Sequence, residues 1–313
     1  MRGSRIWGVP TDISEFRYLP AQAEAIAVPL PAVTRLELAL PDGRTLSALR
    51  YGDGAPEVTL LHGAGLNAHT WDTTILHLQR PALALDLPGH GDSSWRDDLD
   101  YSPRTLAEDV ATALRAWTST PQLVVGQSLG GLTAAALAHA HPELVRELLI
   151  VDITPGIDTT GGPAALREFY RVSDFASRDE LVERAIAFGL GGSRPDTERG
   201  VFFNSRVRAD GRVEWKHHFA HLASRVFTDA PGGPASGAIL DATGWDDLEG
   251  AAAPITLVRA TGGFISAADV TDYLGHVPRA RVVDVDATHN VQETAPAELA
   301  DLIRISADSR AEA

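Results

Sequence analysis

Ser128 stands in Gly126-Gln127-Ser128-Leu129-Gly130, the Gly-x-Ser-x-Gly spacing of a sharp strand-to-helix turn that exposes a nucleophile. An apolar run, Leu123–Val125, precedes it, and a segment of helical apolar spacing, Leu129–His141, follows. Such a turn forces strained backbone at the serine, and only small neighbours let chain approach chain so closely. The hydroxyl then lies at the carboxyl edge of a sheet and at the positive end of a helix. The chain contains no cysteine. Thiol catalysis, disulfides, thiolate-bound zinc and iron–sulfur clusters are therefore excluded, and set beside this turn that absence makes the Ser128 hydroxyl the expected covalent nucleophile.

Two further segments suit acyl transfer. Leu60-Leu61-His62-Gly63-Ala64-Gly65 leaves an apolar run in a His-Gly turn, which can aim a peptide N–H at a developing oxyanion. The amides of Ala64 and Leu129 are the expected oxyanion hole, with Gly65 as the alternative donor. Asp86-Leu87-Pro88-Gly89-His90-Gly91-Asp92-Ser93 leaves the next run as a tight loop and reads as a turn that supports the site.

These groups need a frame. Val33–Leu40 and Arg44–Tyr51 alternate around Pro41-Asp42-Gly43 and predict an antiparallel hairpin. Short apolar runs follow at Val58–Leu61, Ala82–Leu87, Leu123–Val125, Leu148–Val151, Ile255–Val258 and Arg281–Val285. Helix-length segments separate them, so the fold class is α/β, a mostly parallel sheet flanked by helices. The alternation breaks between about Pro155 and Asp246, too long a stretch for a loop. It is expected to be an inserted lid of helices without strands. The boundaries read as an N-terminal extension over 1–32 with a short helix at Ala21–Ala27, a core over 33–154 and 246–313, and a helical lid over 155–245.

The order His62-Gly63-Ala64-Gly65, Asp86-Leu87-Pro88-Gly89-His90-Gly91, Gly126-Gln127-Ser128-Leu129-Gly130 and Thr288-His289-Asn290 resembles the α/β-hydrolase superfamily with a helical lid. The resemblance runs from about Val33 to Ile305. It implies that His289, late in the chain after a strand, is the base that takes the proton of Ser128 and returns it to the leaving group. Most relatives carry the catalytic aspartate just after the strand that follows the lid. Here that strand leads into Ala260-Thr261-Gly262-Gly263-Phe264-Ile265-Ser266, and the expected position is Gly263.

A minority of the superfamily places the acid after the strand that follows the nucleophile helix. Here that strand ends in Asp152-Ile153-Thr154-Pro155-Gly156. An ionised carboxylate at the end of an apolar strand costs free energy unless a partner such as imidazolium uses its charge. Asp152 is thus the expected orienting acid. Asp284, Asp286 and Asp269 are the alternatives, together with a dyad lacking any acid. Asp284 and Asp286 alternate with Val283 and Val285, as on the wet face of an edge strand.

Phe169, Tyr170, Phe175, Phe188, Phe202, Phe203, Trp215, Phe219, Phe227 and Trp245 gather in or beside the insertion. Most would form the lid's own core. Trp215 and Phe219, with Gly65 and Phe264, are the expected substrate-binding residues. His217 and His221, four residues apart, could share a helical face as metal ligands, but no glutamate completes a zinc-protease arrangement and a solvated or ligand-lining face is preferred.

Serine at the elbow argues against haloalkane dehalogenase and epoxide hydrolase chemistry, whose relatives place an aspartate there. The function read is hydrolysis of a carboxylic ester or lactone through an acyl-enzyme. Acid placement after the earlier strand, with an aromatic lid, is similar to the fungal zearalenone lactone hydrolases, which implies an aromatic macrocyclic lactone. A C–C bond hydrolase, a thioesterase or acyltransferase, and a non-catalytic ligand receptor with a vestigial triad stay open.

No phosphate cradle or nicotinamide fingerprint is present, so no cofactor and no metal are expected. Lys and Arg number 27 against 42 for Asp and Glu, a net charge of −15, which repels phosphate backbones and anionic lipid surfaces. The expected partner is a small hydrophobic ester or lactone, with no nucleic acid and no membrane; self-association is left open. Asp12, Glu15 and Arg17 stand where a secretory leader needs an apolar run, so a cytoplasmic location is expected.

Overall fold

The computed structural model describes residues 14–157, 168–189, 192–226 and 244–308. Eight strands form its main sheet in the order β1-β2-β4-β3-β5-β6-β10-β11. They are β1 (Val33–Ala39), β2 (Thr45–Tyr51), β3 (Val58–Leu61), β4 (Ala82–Asp86), β5 (Gln122–Gln127), β6 (Val145–Val151), β10 (Ile255–Gly262) and β11 (Arg281–Thr288). β2 runs antiparallel to β1 and β4. From β4 to β11 every pairing is parallel.

The inner strands read as continuous apolar runs because both faces are covered. Successive residues serve opposite sides. Leu148 and Ile150 of β6 join one core, with Leu106 and Val110 of α3 (Pro103–Trp117) and Leu137 of α4 (Leu129–Ala140). Leu149 and Val151 join the other, with Ile75 of α2 (Asp72–Leu78) and Leu299 and Ile303 of the helix Pro296–Asp308. The sheet is thereby fixed from both faces, and its carboxyl edge is a rigid platform for strand-end side chains. Edge strand β11 follows the expected alternation, with Asp284 and Asp286 both exposed.

The N-terminal helix α1 spans Leu19–Ala25, slightly ahead of the expected Ala21–Ala27. It buries Leu19 and Ala23 in the core shared with α2. Glu15 Oε2 accepts from Arg35 at 2.6 Å and lies 3.4 Å from His69 Nε2. Burial would raise the Glu15 pKa, but these partners pull it down to about 2. The extension as far as residue 13 lies outside the described residues, as does Phe227.

The inserted segment corrects the expectation of helices alone. It carries β7 (Asp174–Phe175), α5 (Arg178–Ala187), α6 (Arg194–Asn204), β8 (Ser205–Val207), β9 (Val213–Trp215) and α7 (His218–Val226). The three strands make an antiparallel sheet in the order β7-β9-β8. Asp210-Gly211 closes the β8–β9 hairpin, with Gly211 at φ +81° and Val207 opposite Val213. That dipeptide is a hairpin signal, but strands of two and three residues are too short to show a period in sequence. Among the described residues, no helix is long and apolar enough to cross a membrane.

Candidate active site

Ser128 is the first residue after β5, at φ 53° and ψ −121°. This region is strained for any residue with a side chain. Its amide donates to Val151 O at 3.1 Å, so the elbow remains tied to β6. Gly130 has no alternative: a Cβ there would fall 2.2 Å from Leu61 O and 2.7 Å from His62 O. The elbow thus presses directly on the turn that follows β3. His62 braces that turn. It is fully buried, its Nδ1 lies 2.8 Å from Gly63 O, and its Nε2 accepts from Leu87 N at 3.0 Å. Burial lowers its pKa to about 4, leaving it a neutral strut between the ends of β3 and β4.

Asp152 follows β6 directly, at φ 48°. Its amide continues the sheet by donating to Val258 O at 2.8 Å. Its side chain is fully buried. The carboxylate accepts from Ala260 N at 3.1 Å, Phe264 N at 2.8 Å and His289 Nδ1 at 2.8 Å. An ionised carboxylate only accepts, so Nδ1 carries the imidazole proton and Nε2 is left as the basic nitrogen. Three donors, one of them the imidazole, make a buried charge tenable at this strand end.

Gly263, the residue after β10, leaves room for this carboxylate. A Cβ on Gly263 would come within 2.2 Å of Asp152 Oδ2. The carboxylate from β6 therefore occupies the volume a side chain at residue 263 would need. Next to it, the β10–β11 register shifts between Ala260 and Gly262, and an irregularity of this kind re-aims a strand end beside a site. Phe264 lays its ring on His289, with centroids 3.7 Å apart and planes 13° apart. The backbone of His289 is held too: Gln127 Nε2 donates to His289 O at 3.2 Å. The serine's neighbour in sequence thus tethers the histidine.

A family model described as alpha/beta hydrolase fold matches residues 56–296. The chain belongs to the α/β-hydrolase fold family. It is 39% identical to the esterase Rv0045c of Mycobacterium tuberculosis, over 96% of this chain and 98% of that protein. A crystal structure of that esterase superposes with a TM-score of 0.77, covering 95% of this chain and 99% of the other. E-2-(acetamidomethylene)succinate hydrolase, 21% identical, shares the fold with a TM-score of 0.74, over 87% of this chain and 98% of its own. A pimeloyl-[acyl-carrier protein] methyl ester esterase of Aeromonas hydrophila is 38% identical over 36% of this chain and 42% of its own length.

Within this α/β-hydrolase, the other expected residues fall as follows. Ala64 lies on the turn after β3, next to Gly63, whose Cβ position is 3.1 Å from Ser128 Cβ, and Leu129 follows Ser128 as the first amide of α4, a position with no intrahelical acceptor. Asp284 and Asp286 bond Arg259 and Thr261 on the exposed strand face, and Asp269 caps a helix through Ser266. The Asp86 loop has a supporting role: Asp86 accepts from Arg35 and from the amides of Ala68 and Asp92.

Trp215 is 3% exposed within the insertion's own core, and Phe219 packs partly buried against the same cluster. His217 is not on a solvated face, because it is 1% exposed and its Nδ1 accepts from Ala220 N. His221 Nε2 lies 3.2 Å from Trp215 O. Among the described residues, no three His, Asp or Glu side chains are grouped to hold a metal ion. No pattern in the chain separates Tyr170 from the other aromatics, yet its hydroxyl lies against Gly65: a Cβ on Gly65 would fall 2.6 Å from Tyr170 Oη.

Proposed function

We propose that this chain hydrolyses carboxylic esters, with Ser128 as nucleophile, His289 as base and then acid, and Asp152 as the orienting carboxylate. The observation that carries the reading is the 2.8 Å contact between His289 Nδ1 and the buried Asp152 Oδ2, made while Ser128 holds the strained elbow conformation. The assigned tautomer leaves Nε2 free to accept the serine proton as Oγ attacks the acyl carbon. Asp152 stabilises the imidazolium that forms. The amides of Ala64 and Leu129 bind the carbonyl oxygen as it becomes an oxyanion. The imidazolium protonates the departing alkoxide, and a water, deprotonated by the same nitrogen, releases the acid.

The finer reading is an uncharged ester or lactone with an apolar or aromatic acyl part, a macrocyclic lactone among them. The rings of Phe264 and Tyr170 beside the site support it. The insertion acts as a lid over Ser128. Its support is the seam it makes with the core, where His218 N donates to Gly89 O at 2.7 Å and Lys216 pairs with Asp92 at 2.8 Å.

The test is turnover of p-nitrophenyl butyrate together with fluorophosphonate labelling. Wild type turns over and is labelled at Ser128, while Ser128→Ala does neither. An unlabelled, inert wild-type protein would remove the enzyme reading. Parallel assays on aryl lactones and acyl thioesters rank the substrate classes.

A further inference from the structure

Tyr170 belongs to the insertion, yet its hydroxyl occupies the place a side chain at residue 65 would take, with 2.6 Å from an ideal Cβ to Oη. Residue 65 closes the turn after β3, whose residue 64 is the proposed oxyanion donor. A Cβ on Gly63, in the same turn, would lie 3.1 Å from the Cβ of Ser128. Tyr170 Oη and the serine therefore border one four-residue turn.

The ring cannot drift from this place. It meets Phe169, Trp215, His217 and Phe219 edge-on, with centroids 5.0, 5.3, 4.5 and 5.9 Å away. Edge-to-face packing on several sides fixes ring orientation as well as position. Trp215 and Phe219 thus stand behind Tyr170. Burial also pushes the phenol pKa up, so the hydroxyl keeps its proton through the neutral range and is available as a donor.

We infer that Tyr170 is a substrate-contacting catalytic residue supplied by the insertion: its hydroxyl donates a hydrogen bond to the ester carbonyl oxygen as that oxygen becomes the oxyanion, beside the backbone donors of the core. The inference rests on the ester-hydrolysis reading above. It assigns the insertion a part in the chemical step, and it makes Trp215 and Phe219 positioning residues that act through Tyr170.

The test compares wild type, Tyr170→Phe and Ser128→Ala on p-nitrophenyl butyrate, with phenylboronic acid as the anionic tetrahedral analogue. Phenylalanine keeps the ring and removes only the donor. Losing one hydrogen bond to a charged oxygen should lower kcat roughly 10- to 100-fold with KM nearly unchanged, and should weaken the boronate by a similar factor. A role confined to packing would leave boronate affinity intact. If Ser128→Ala keeps turnover, the nucleophile assignment fails and this inference falls with it. If Ser128→Ala is inert while Tyr170→Phe matches wild type in both kcat and boronate affinity, only the Tyr170 assignment falls. A structure of wild-type protein phosphonylated at Ser128 decides the matter without a variant. Oη at roughly 2.5–3.0 Å from the phosphonyl oxygen is expected, and an Oη bonded elsewhere overturns the inference.

Discussion

The ends of β6 and β10 are neighbours in one sheet and carry opposite chemistry. β6 ends in a fully buried carboxylate, Asp152, held by two amides and an imidazole. β10 ends at Gly262, and Gly263 follows it, between the two residues whose amides bind that carboxylate, Ala260 and Phe264. One strand supplies the charge, and the other supplies its solvation and the room for it. The volume beside His289 holds one carboxyl group, so the acid can arrive from either strand only if the other yields its side chain. Gly263 is therefore as much a part of the proposed acid site as Asp152.

Removing the charge breaks this comparison with the largest effect. Asp152→Asn should keep the fold and lower kcat by about 10⁴-fold, because an amide no longer fixes the imidazole tautomer. Crowding the opposite strand end comes next. Gly263→Asp would drive a Cβ to 2.2 Å from Asp152 Oδ2 and set two carboxylates in one site. Thermal unfolding should show a loss of about 3 kcal/mol or more. The exchange Asp152→Gly with Gly263→Asp should be more active than either single variant, a coupling that independent sites would not show.

The other bank of the site sharpens the contrast. At the ends of β3 and β4, burial holds His62 near pKa 4 and His90 near 3, with no carboxylate bonded to either ring. Their folded values lie below the unfolded value of about 6.5, so the unfolded chain binds protons first as pH falls. The stability they confer is full above about pH 6.5 and is lost as pH falls towards 4 and then 3. Melting temperature should decline over that window, and less steeply in His90→Phe. The smallest effect belongs to the ring on His289. Phe264→Ala should cost about 5-fold in kcat, since one stacked pair contributes only ~1 kcal/mol.

Much of this comparison was legible in the sequence. Apolar runs alternating with helical segments specify a parallel sheet, and Gly126-Gln127-Ser128-Leu129-Gly130 needs its glycines for steric reasons that any reader of the chain can supply. That Asp152 takes a partner was legible, because a carboxylate directly after Leu148–Val151 demands one. What Gly263 does was not, since an absent side chain signals nothing until a neighbouring strand is seen to fill its place. The stack of Phe264 on His289 and the placement of Tyr170 over Gly65 join residues 25 and 105 positions apart in the chain, and no local pattern encodes them. The insertion's sheet was missed because Asp174–Phe175 and Ser205–Val207 are shorter than one readable period.

The most direct measurement is kcat for p-nitrophenyl butyrate in Asp152→Asn, set beside Asp284→Asn and Asp286→Asn, in variants shown to melt as wild type does. Asp284 and Asp286 are exposed, and near-normal turnover is expected for both, with a fall of about 10⁴-fold confined to Asp152→Asn. Near-normal turnover in Asp152→Asn, with the large loss at either other aspartate, would contradict the Asp152 assignment.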